Sequence, residues 1–249
     1  MVDTHCHLDS CKPPDGELVA RARQTGVGRL ATVGMDGPSI ERALAAAHEH
    51  EGVVAIVGRH PHHAGGFADG DLEEIERAAA DPLARAIGET GLDYYRDRAP
   101  REDQRRAFEA QLDLARRVGL PVVIHTRAAE EETFAILAEH ADLLTVILHC
   151  FSAPDRLEEA VDRGYLCSFA GNVTYKSNQD LQAAARDVPE PLLLVETDSP
   201  YLAPLPLRGK PNEPANVQLT AEFVAELRGV GYGELDAAVE RNSARVFGW

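Results

Sequence analysis

Short apolar runs alternate with longer amphipathic segments along the chain. Eight runs rich in Val, Ile, Leu and Ala predict strands, because near-continuous apolar content is typical of parallel strands buried on both faces. These runs lie at 2–5, 29–34, 53–60, 84–89, 121–125, 145–150, 165–169 and 192–197. The clearest helix is predicted over 102–118, where Phe108, Leu112, Ala115 and Val118 form one apolar stripe. The alternation indicates an α/β fold.

Eight strands separated by helices fit two architectures, a closed (β/α)8 TIM barrel or an open doubly wound sheet. An open sheet that binds a nucleotide is expected to carry a glycine-rich turn after an early strand. The sequence contains neither G-x-G-x-x-G nor G-x-x-x-x-G-K-[ST]. Its 249 residues also match the usual length of a barrel. We therefore predict a single TIM-barrel domain over residues 1–249.

The composition bears on where in the cell the protein is located. With 44% hydrophobic residues the chain can bury a substantial core, yet it has no run of 18 apolar residues that would span a membrane. The N-terminus lacks the basic and apolar segments of a secretion signal. Four cysteines form no C-x-x-C pair: Cys6, Cys11, Cys150 and Cys167. We predict a cytoplasmic protein with reduced thiols and no membrane association.

The charge balance bears on possible partners. The sequence has 25 Lys and Arg against 41 Asp and Glu, a formal net charge of -16. Such a surface should repel nucleic acid, which argues against a protein that coats DNA. An enzyme that captures a phosphate at a metal site remains open, because bound divalent ions dominate the local field.

Two histidines near the first strand are the first candidate for chemistry. His5 and His7 lie two residues apart, and side chains two apart in a strand point the same way. They could grip a metal ion together. The alternative is a pair of ordinary hydrogen-bonded histidines at a strand edge.

Ionisable residues also follow four of the other apolar runs, namely Glu89, His125, His149 and the segment Glu196-Thr197-Asp198. Such groups are costly to bury unless they are paired or bind a metal. In a TIM barrel all of these positions lie at the catalytic end of the strands. Four histidines and two carboxylates suit Zn, Mn, Ni or Mg. Six ligands exceed one tetrahedral ion, so we predict two ions bridged by Glu89, which together would make a positive site.

A set of motifs extends over practically the whole chain. In order, these are DTHCHLD, VGRHPHH, GETGLDYY, LPVVIHTR, LHCFS, FAGNVTYK, ETDSPYLAP and RGKPNEPANV. In this combination the sequence resembles the TatD family of metal-dependent hydrolases and deoxyribonucleases, within the amidohydrolase-like barrel superfamily. One departure is Ala153, where the family usually has glycine. We expect Ala153 to affect its loop and to leave the ligand His149 intact.

The resemblance implies the two halves of the metal site. One ion would be held by His5, His7, Glu89 and Asp198, and the other by Glu89, His125 and His149. It also implies that Asp198 is catalytic and deprotonates or orients the attacking water. The ions would be two divalent metals, with Mg, Mn, Ni and Zn all open.

Further rim residues are candidates for substrate binding: His62, Asp93, Tyr94, Arg127, Asn172, Lys176, Arg208 and Lys210. The resemblance suggests His62, whereas a separate metal site in VGRHPHH is disfavoured. Arg127 could hold a phosphate or form a surface ion pair. Asp93 and Tyr94 could instead support the site or pack under their loop, and Asn172 and Lys176 could belong to a merely polar loop.

The segment 199–216 contains five prolines, which favour a stiff, extended loop. Arg208 and Lys210 place two positive charges in it. We interpret it as a lid or nucleic-acid clamp, the alternative being a rigid connector to the last helices.

The candidate metal site is compatible with three functions. The resemblance favours a metal-dependent deoxyribonuclease with 3′-5′ exonuclease-like action on single-stranded DNA or 3′ ends. The same metal site could serve a D-aminoacyl-tRNA deacylase that cleaves an ester of aminoacyl-tRNA. A non-catalytic metal-binding scaffold is disfavoured, because all six ligands are retained. No protein partner is predicted.

Overall fold

The computed structural model describes residues 1–140 and 144–249. Eight parallel strands pair in the order of the chain, each with the next. The strands are β1 (Val2–Cys6), β2 (Arg29–Gly34), β3 (Val53–Val57), β4 (Ala84–Asp93), β5 (Val122–Arg127), β6 (Val146–Leu148), β7 (Leu166–Phe169) and β8 (Leu193–Val195). The helices are α1 (Asp15–Gln24), α2 (Gly37–Glu49), α3 (Asp69–Ala79), α4 (Arg101–Val118), α5 (Glu130–His140), α6 (Leu157–Asp162), α7 (Gln179–Asp187), α8 (Val217–Arg228) and α9 (Tyr232–Phe247).

The segment after β8 closes the sheet against β1. The Asp198 N–H donates to the His5 carbonyl at 2.9 Å, and the His7 N–H donates to the Ser199 carbonyl at 2.8 Å. Nearer the barrel interior, the Thr197 hydroxyl donates to a carboxylate oxygen of Asp3 at 2.6 Å. The predicted (β/α)8 barrel is therefore confirmed, and the open sheet is excluded.

Strand β4 differs most from its prediction, because it runs four residues past Glu89. Its pairing with β5 shifts register between Ile87 and Thr90 and then continues to Asp93. Gly91 permits this, since its φ of 139° is unfavourable for other residues and a methyl group there would overlap the His125 backbone oxygen. Glu89 thus lies inside a strand, beside an irregularity that re-aims its side chain.

The other strand predictions are correct in place and too long at the carboxyl end in three cases. Strands β3, β6 and β8 end at Val57, Leu148 and Val195, before the polar residues that follow them. Those residues leave the ladder and turn toward the barrel axis. Their backbone is therefore free to adopt the turns that the site needs.

The core has two layers. A small cluster fills the barrel: Ala31, Val33, Val54, Ile56, Ala86, Val123, Ile147, Leu166 and Leu194, together with Val246 and Phe247. A larger cluster lies between the strands and the helices. The stripe predicted on α4 is buried at Phe108, Leu112 and Ala115, whereas Val118 is 37% exposed. Val118 is the last helical residue before the left-handed cap at Gly119, where the chain leaves the surface of the sheet.

None of the helices in residues 1–140 and 144–249 combines the length and apolar character that crossing a bilayer requires. All four cysteines are free thiols, as their spacing indicated.

Candidate metal centre

The Glu89 carboxylate lies at the middle of a buried group of histidines. Its Oε2 atom is 3.4 Å from His5 Nε2 and 3.9 Å from His7 Nε2. The two imidazole Nε2 atoms are 3.3 Å apart. On the outer side, Asp198 Oδ1 is 3.4 Å from His7 Nε2. His5, His7 and Glu89 place their ligand atoms close enough to hold one metal ion.

The other oxygen of Glu89 faces a second set of histidines. Its Oε1 atom is 2.6 Å from His125 Nδ1, 3.5 Å from His149 Nε2 and 3.5 Å from His60 Nε2. His60, Glu89 and His125 form a second group that could hold an ion. His149 also lies 3.9 Å from Asp198 Oδ1 and so faces both sides of the carboxylate. The six predicted ligands therefore lie together.

Two residues outside the predicted ligand set belong to this cluster. His60 is buried and points at Glu89, although the sequence favoured only its neighbour His62 as functional. Glu196 is fully buried, with Oε1 2.7 Å from His149 Nδ1, and it also accepts the Cys150 N–H at 2.9 Å. The sequence did carry a signal for Glu196, a carboxylate directly after the apolar run LLLV. A carboxylate on the far ring nitrogen orients a histidine and raises its basicity as a ligand.

Neighbouring histidines shift the pKa of the buried carboxylate Glu89, and carboxylates in turn shift the pKa values of the histidines. Burial raises the pKa of Glu89, but the charge of His149 and the hydrogen bond with His125 outweigh it and hold the pKa well below the usual value. Burial lowers the pKa of His125, yet hydrogen bonds to Asp93 and Glu89 raise it to about 9. Burial also lowers the pKa of His149, but the charges of Glu196 and Glu89 raise it to about 10.

The raised pKa values mean that His125 and His149 carry protons at neutral pH, in positions where a bound metal ion would take their place. Burial dominates at His60 and lowers its pKa to about 3, so this imidazole is a neutral donor. At Asp198 burial raises the pKa, but the hydrogen bond with His7 and the charge of His149 lower it overall, so the carboxylate stays ionised. Buried imidazole nitrogens beside ionised carboxylates fit divalent cations, which displace the protons on binding.

Asp93 and Tyr94, both expected to contact substrate, have their polar atoms engaged by the protein. Asp93 is fully buried, with Oδ2 2.8 Å from His62 Nε2 and 3.1 Å from His125 Nε2. Its Oδ1 accepts two backbone N–H groups of the following turn. The Tyr94 hydroxyl donates to Glu132 at 2.8 Å, away from the centre. The alternative reading, support of the site, fits both residues.

The remaining candidates lie in the loops around the mouth. Arg127 has no carboxylate partner among the described residues and stacks over the Tyr95 ring at 4.0 Å. Arg208 likewise stacks over Tyr175 at 4.3 Å. Lys210 is exposed in the proline-rich loop. Each of these cations is available to a ligand.

Asn172 and Lys176, in the loop after β7, have different surroundings. Asn172 points its amide nitrogen at Cys150 Sγ, 4.0 Å away, beside the strand end that carries His149. Lys176 lines a separate cavity of about 600 Å³ between α7 and α8, with Gln179 and Phe223 among its walls. Asn172 is therefore near the centre, whereas Lys176 borders another depression.

Two residues at the centre have a strained backbone conformation. Cys150 and Asp198 have φ angles of 43° and 52°, in the left-handed region that non-glycine residues rarely adopt. Glu196 binds the Cys150 N–H, and the His5 carbonyl binds that of Asp198. Such strain persists where surrounding structure over-determines it, commonly at functional sites.

Ala153 is accommodated without strain. It is buried, and its φ of -114° lies in a region open to any residue, so the loop after His149 does not require glycine. His149 keeps its contacts with Glu89 and Glu196.

The (β/α)8 barrel gathers buried histidines and carboxylates at the carboxyl ends of its strands, an arrangement that suits a metal-dependent hydrolase, and curated relatives carry that name. The family model described as TatD related DNase matches residues 2–248. The chain belongs to this family, as its motifs indicated.

Relatives and a solved structure agree with this assignment. The chain is 36% identical to the uncharacterized metal-dependent hydrolase YabD of Bacillus subtilis, over 99% of this chain and 98% of that protein. It is 34% identical to the 3′-5′ ssDNA/RNA exonuclease TatD of Erwinia tasmaniensis, over 93% and 92%. The crystal structure of the TatD homolog YjjV from Escherichia coli superposes with a TM-score of 0.93 at 30% identity, covering 100% and 98%.

Proposed function

We propose that this protein is a metal-dependent deoxyribonuclease that removes nucleotides from the 3′ ends of single strands. Two divalent ions would be held by His5, His7, Glu89, His125, His149 and Asp198. The observation that carries the proposal is the position of Glu89, whose two oxygens face two different sets of histidines. A carboxylate so placed suits a shared ligand of two neighbouring ions.

Bound Mg, Mn, Ni or Zn would supply Lewis-acid stabilisation of the phosphoryl oxygens and lower the pKa of the attacking water. Asp198 is the general base and accepts the proton of that water at Oδ1. Its lowered pKa keeps it ionised for this task at neutral pH. The water oxygen bonds to phosphorus, the bond from phosphorus to the 3′-oxygen breaks, and the proton held by Asp198 passes to the leaving oxygen.

The supporting carboxylates fix the imidazoles. Glu196 holds His149 through Nδ1, while Asp93 holds both His125 and His62 through Nε2. His62, half-buried at the rim, is the histidine that we place against the substrate. Geometry set before substrate arrives reduces the reorganisation needed in the transition state.

The substrate class rests on the relatives and on the rim. One relative carries the name 3′-5′ ssDNA/RNA exonuclease. Arg127, Arg208 and Lys210 surround the mouth, which suits an anionic polymer even though the whole chain carries -16.

The test follows 3′-labelled single-stranded DNA and D-aminoacyl-tRNA side by side with the metal-reconstituted protein. We expect stepwise loss of nucleotides, and Asp198→Asn should slow it by about 10²-fold or more, the usual range for a general base. Asp187→Asn, an exposed carboxylate at the end of α7, is the matched control and should leave the rate unchanged. Deacylation with intact DNA would overturn the nuclease in favour of ester hydrolysis.

A further inference from the structure

The cations of this chain are distributed unevenly. Most of the 25 Lys and Arg side chains donate to carboxylates or backbone carbonyls. Within residues 1–140 and 144–249, those with no such partner are Lys12, Arg85, Arg96, Arg98, Arg127, Lys176, Arg208 and Lys210. All of them except Arg85 lie at the carboxyl ends of the strands or in the loops that follow. Unpaired positive charge is therefore concentrated at the catalytic end.

A groove beside the metal centre collects part of this charge. It has a volume of about 850 Å³ and runs between the loop after β1 and the proline-rich loop after β8. Lys12 and Lys210 line it from the two loops, together with Tyr175 and Tyr201. The Tyr201 ring is 54% exposed, and its centroid is 6.2 Å from that of His7. We call this depression the Tyr201 groove.

Two carboxylates near the Tyr201 groove are paired with arginines, while the third, Asp198, belongs to the proposed metal site. Glu213, which lines it, is 2.7 Å from Arg21. Asp9, close enough to act on Tyr201, is 2.9 Å from Arg42. The two lysines have no carboxylate partner among the described residues, so they keep their charge available for a ligand.

Arg98 extends the positive surface across the mouth. It is exposed, and its charge acts on both His62, after β3, and Tyr201, after β8. These two residues follow strands that lie on either side of β1 in the barrel. An anionic chain leaving the Tyr201 groove would thus meet Arg98 as it passes over the metal ligands.

Resting on the proposed function, we propose that the Tyr201 groove binds the nucleotides next to the scissile phosphate of a single strand. A base stacks on the Tyr201 ring, and the adjoining phosphates contact Lys12 and Lys210. Exposed aromatic rings with neighbouring cations are the means by which proteins hold single strands without reading sequence. A duplex turns its bases inward and offers no face to the ring, so the groove selects single strands.

The test measures binding of a fluorescein-labelled phosphorothioate oligothymidylate, which resists hydrolysis, to the metal-loaded protein at several salt concentrations. Tyr201→Ala should weaken binding about tenfold or more, the effect of losing one stacked base, with no change in salt dependence. Tyr201→Phe keeps the ring and should bind as the unchanged protein does.

Loss of the two lysines should instead change how strongly binding depends on salt. Lys12→Gln/Lys210→Gln should reduce the slope of log affinity against log salt by about 1.4, since each phosphate contact to a single strand contributes about 0.7. Arg77→Gln/Arg186→Gln removes the same charge from exposed positions near the carboxyl ends of α3 and α7 and should leave the slope unchanged.

Unchanged affinity in Tyr201→Ala, together with an unchanged slope in the lysine variant, would overturn the groove proposal. Equal weakening by the Arg77→Gln/Arg186→Gln control would do the same, because it would show a non-local charge effect. Shortening of unmodified DNA by the unchanged protein is scored separately and decides the proposed function. Melting temperatures of all variants confirm that each is folded.

Discussion

The two ends of the barrel use the same kinds of charged side chain in opposite ways. At the amino end of the strands, Arg29 is 2.9 Å from Glu240 and Arg241 is 2.7 Å from Glu190. Arg228 donates to three backbone carbonyls at the carboxyl end of α7, those of Ala185, Arg186 and Val188. At the carboxyl end, histidines and carboxylates are buried around a common centre, and the cations at the mouth have no carboxylate partner among the described residues.

The difference lies in what completes each arrangement. Exposed ion pairs at the amino end are complete within the protein and contribute only about 0–1 kcal/mol each. The buried donors at the carboxyl end have lost their hydration, and protons on the histidines compensate for it only until a metal binds. Folding alone therefore completes the ion pairs at the amino end, whereas a bound metal ion would complete the donor set at the carboxyl end.

Loss of the central carboxylate should have the largest effect. Glu89→Gln removes the charge that both histidine sets share, and we expect metal content to fall and turnover to drop by at least about 10³-fold, since several kcal/mol of transition-state stabilisation are lost. Elemental analysis of the purified variant and its hydrolysis rate measure the two effects. Full metal content with near-normal turnover would show that Glu89 is not the shared ligand.

Metal affinity should rise steeply with pH. The folded-state pKa values of His125 and His149 are raised to about 9 and about 10 in the metal-free protein. Their stabilising protonation is therefore complete below about pH 6.5 and is lost as pH rises through those values. A metal must displace both protons, so we expect affinity to increase about tenfold per pH unit for each proton displaced. Calorimetric titration with Mn²⁺ at pH 7, 8 and 9 tests this, and a constant affinity would contradict it.

Removing a supporting carboxylate should cost less than removing a ligand. Asp93→Asn weakens the hold on His125 and His62, and we expect a loss of about 10–100-fold in activity or metal affinity. Asp97→Asn, an exposed neighbour in the same turn, is the control and should be silent. A silent Asp93→Asn would mean that packing alone orients these histidines.

The smallest effect should come from the amino end. Arg241→Gln breaks an exposed pair with Glu190, and urea denaturation should show a loss of no more than about 1 kcal/mol with turnover unchanged. Arg127→Gln makes the same chemical change at the mouth, where we expect a raised KM for DNA. Reduced turnover in Arg241→Gln would contradict the view that ion pairs at the amino end of the barrel contribute only to stability.

Much of the fold and of the site is readable from local pattern. The apolar runs placed the eight strands, because burial on both faces leaves a continuous apolar signature in each run. Polar residues after those runs marked the carboxyl rim, since such residues are costly to bury without a purpose. His5, His125, His149 and Asp198 were all predicted as ligands in this way, and the structure places them together around Glu89.

Other features depend on contacts between residues far apart in the chain. His60 meets Glu89 only because β3 and β4 are neighbours and β4 is irregular there, which no local pattern records. The burial of Asp93 beneath His62 and His125 follows from the extension of β4, which the apolar pattern ended at Glu89.

Local sequence pattern was enough to predict the barrel, the end of the strands at which the ionisable residues gather and the residue types available there. Tertiary structure alone decided which charges are paired. Arg127 and Arg241 look alike in the chain, yet one stacks on an exposed ring at the mouth and the other binds Glu190. The physical reason is that an ion pair depends on distance and solvent access, which the fold sets by bringing remote segments together.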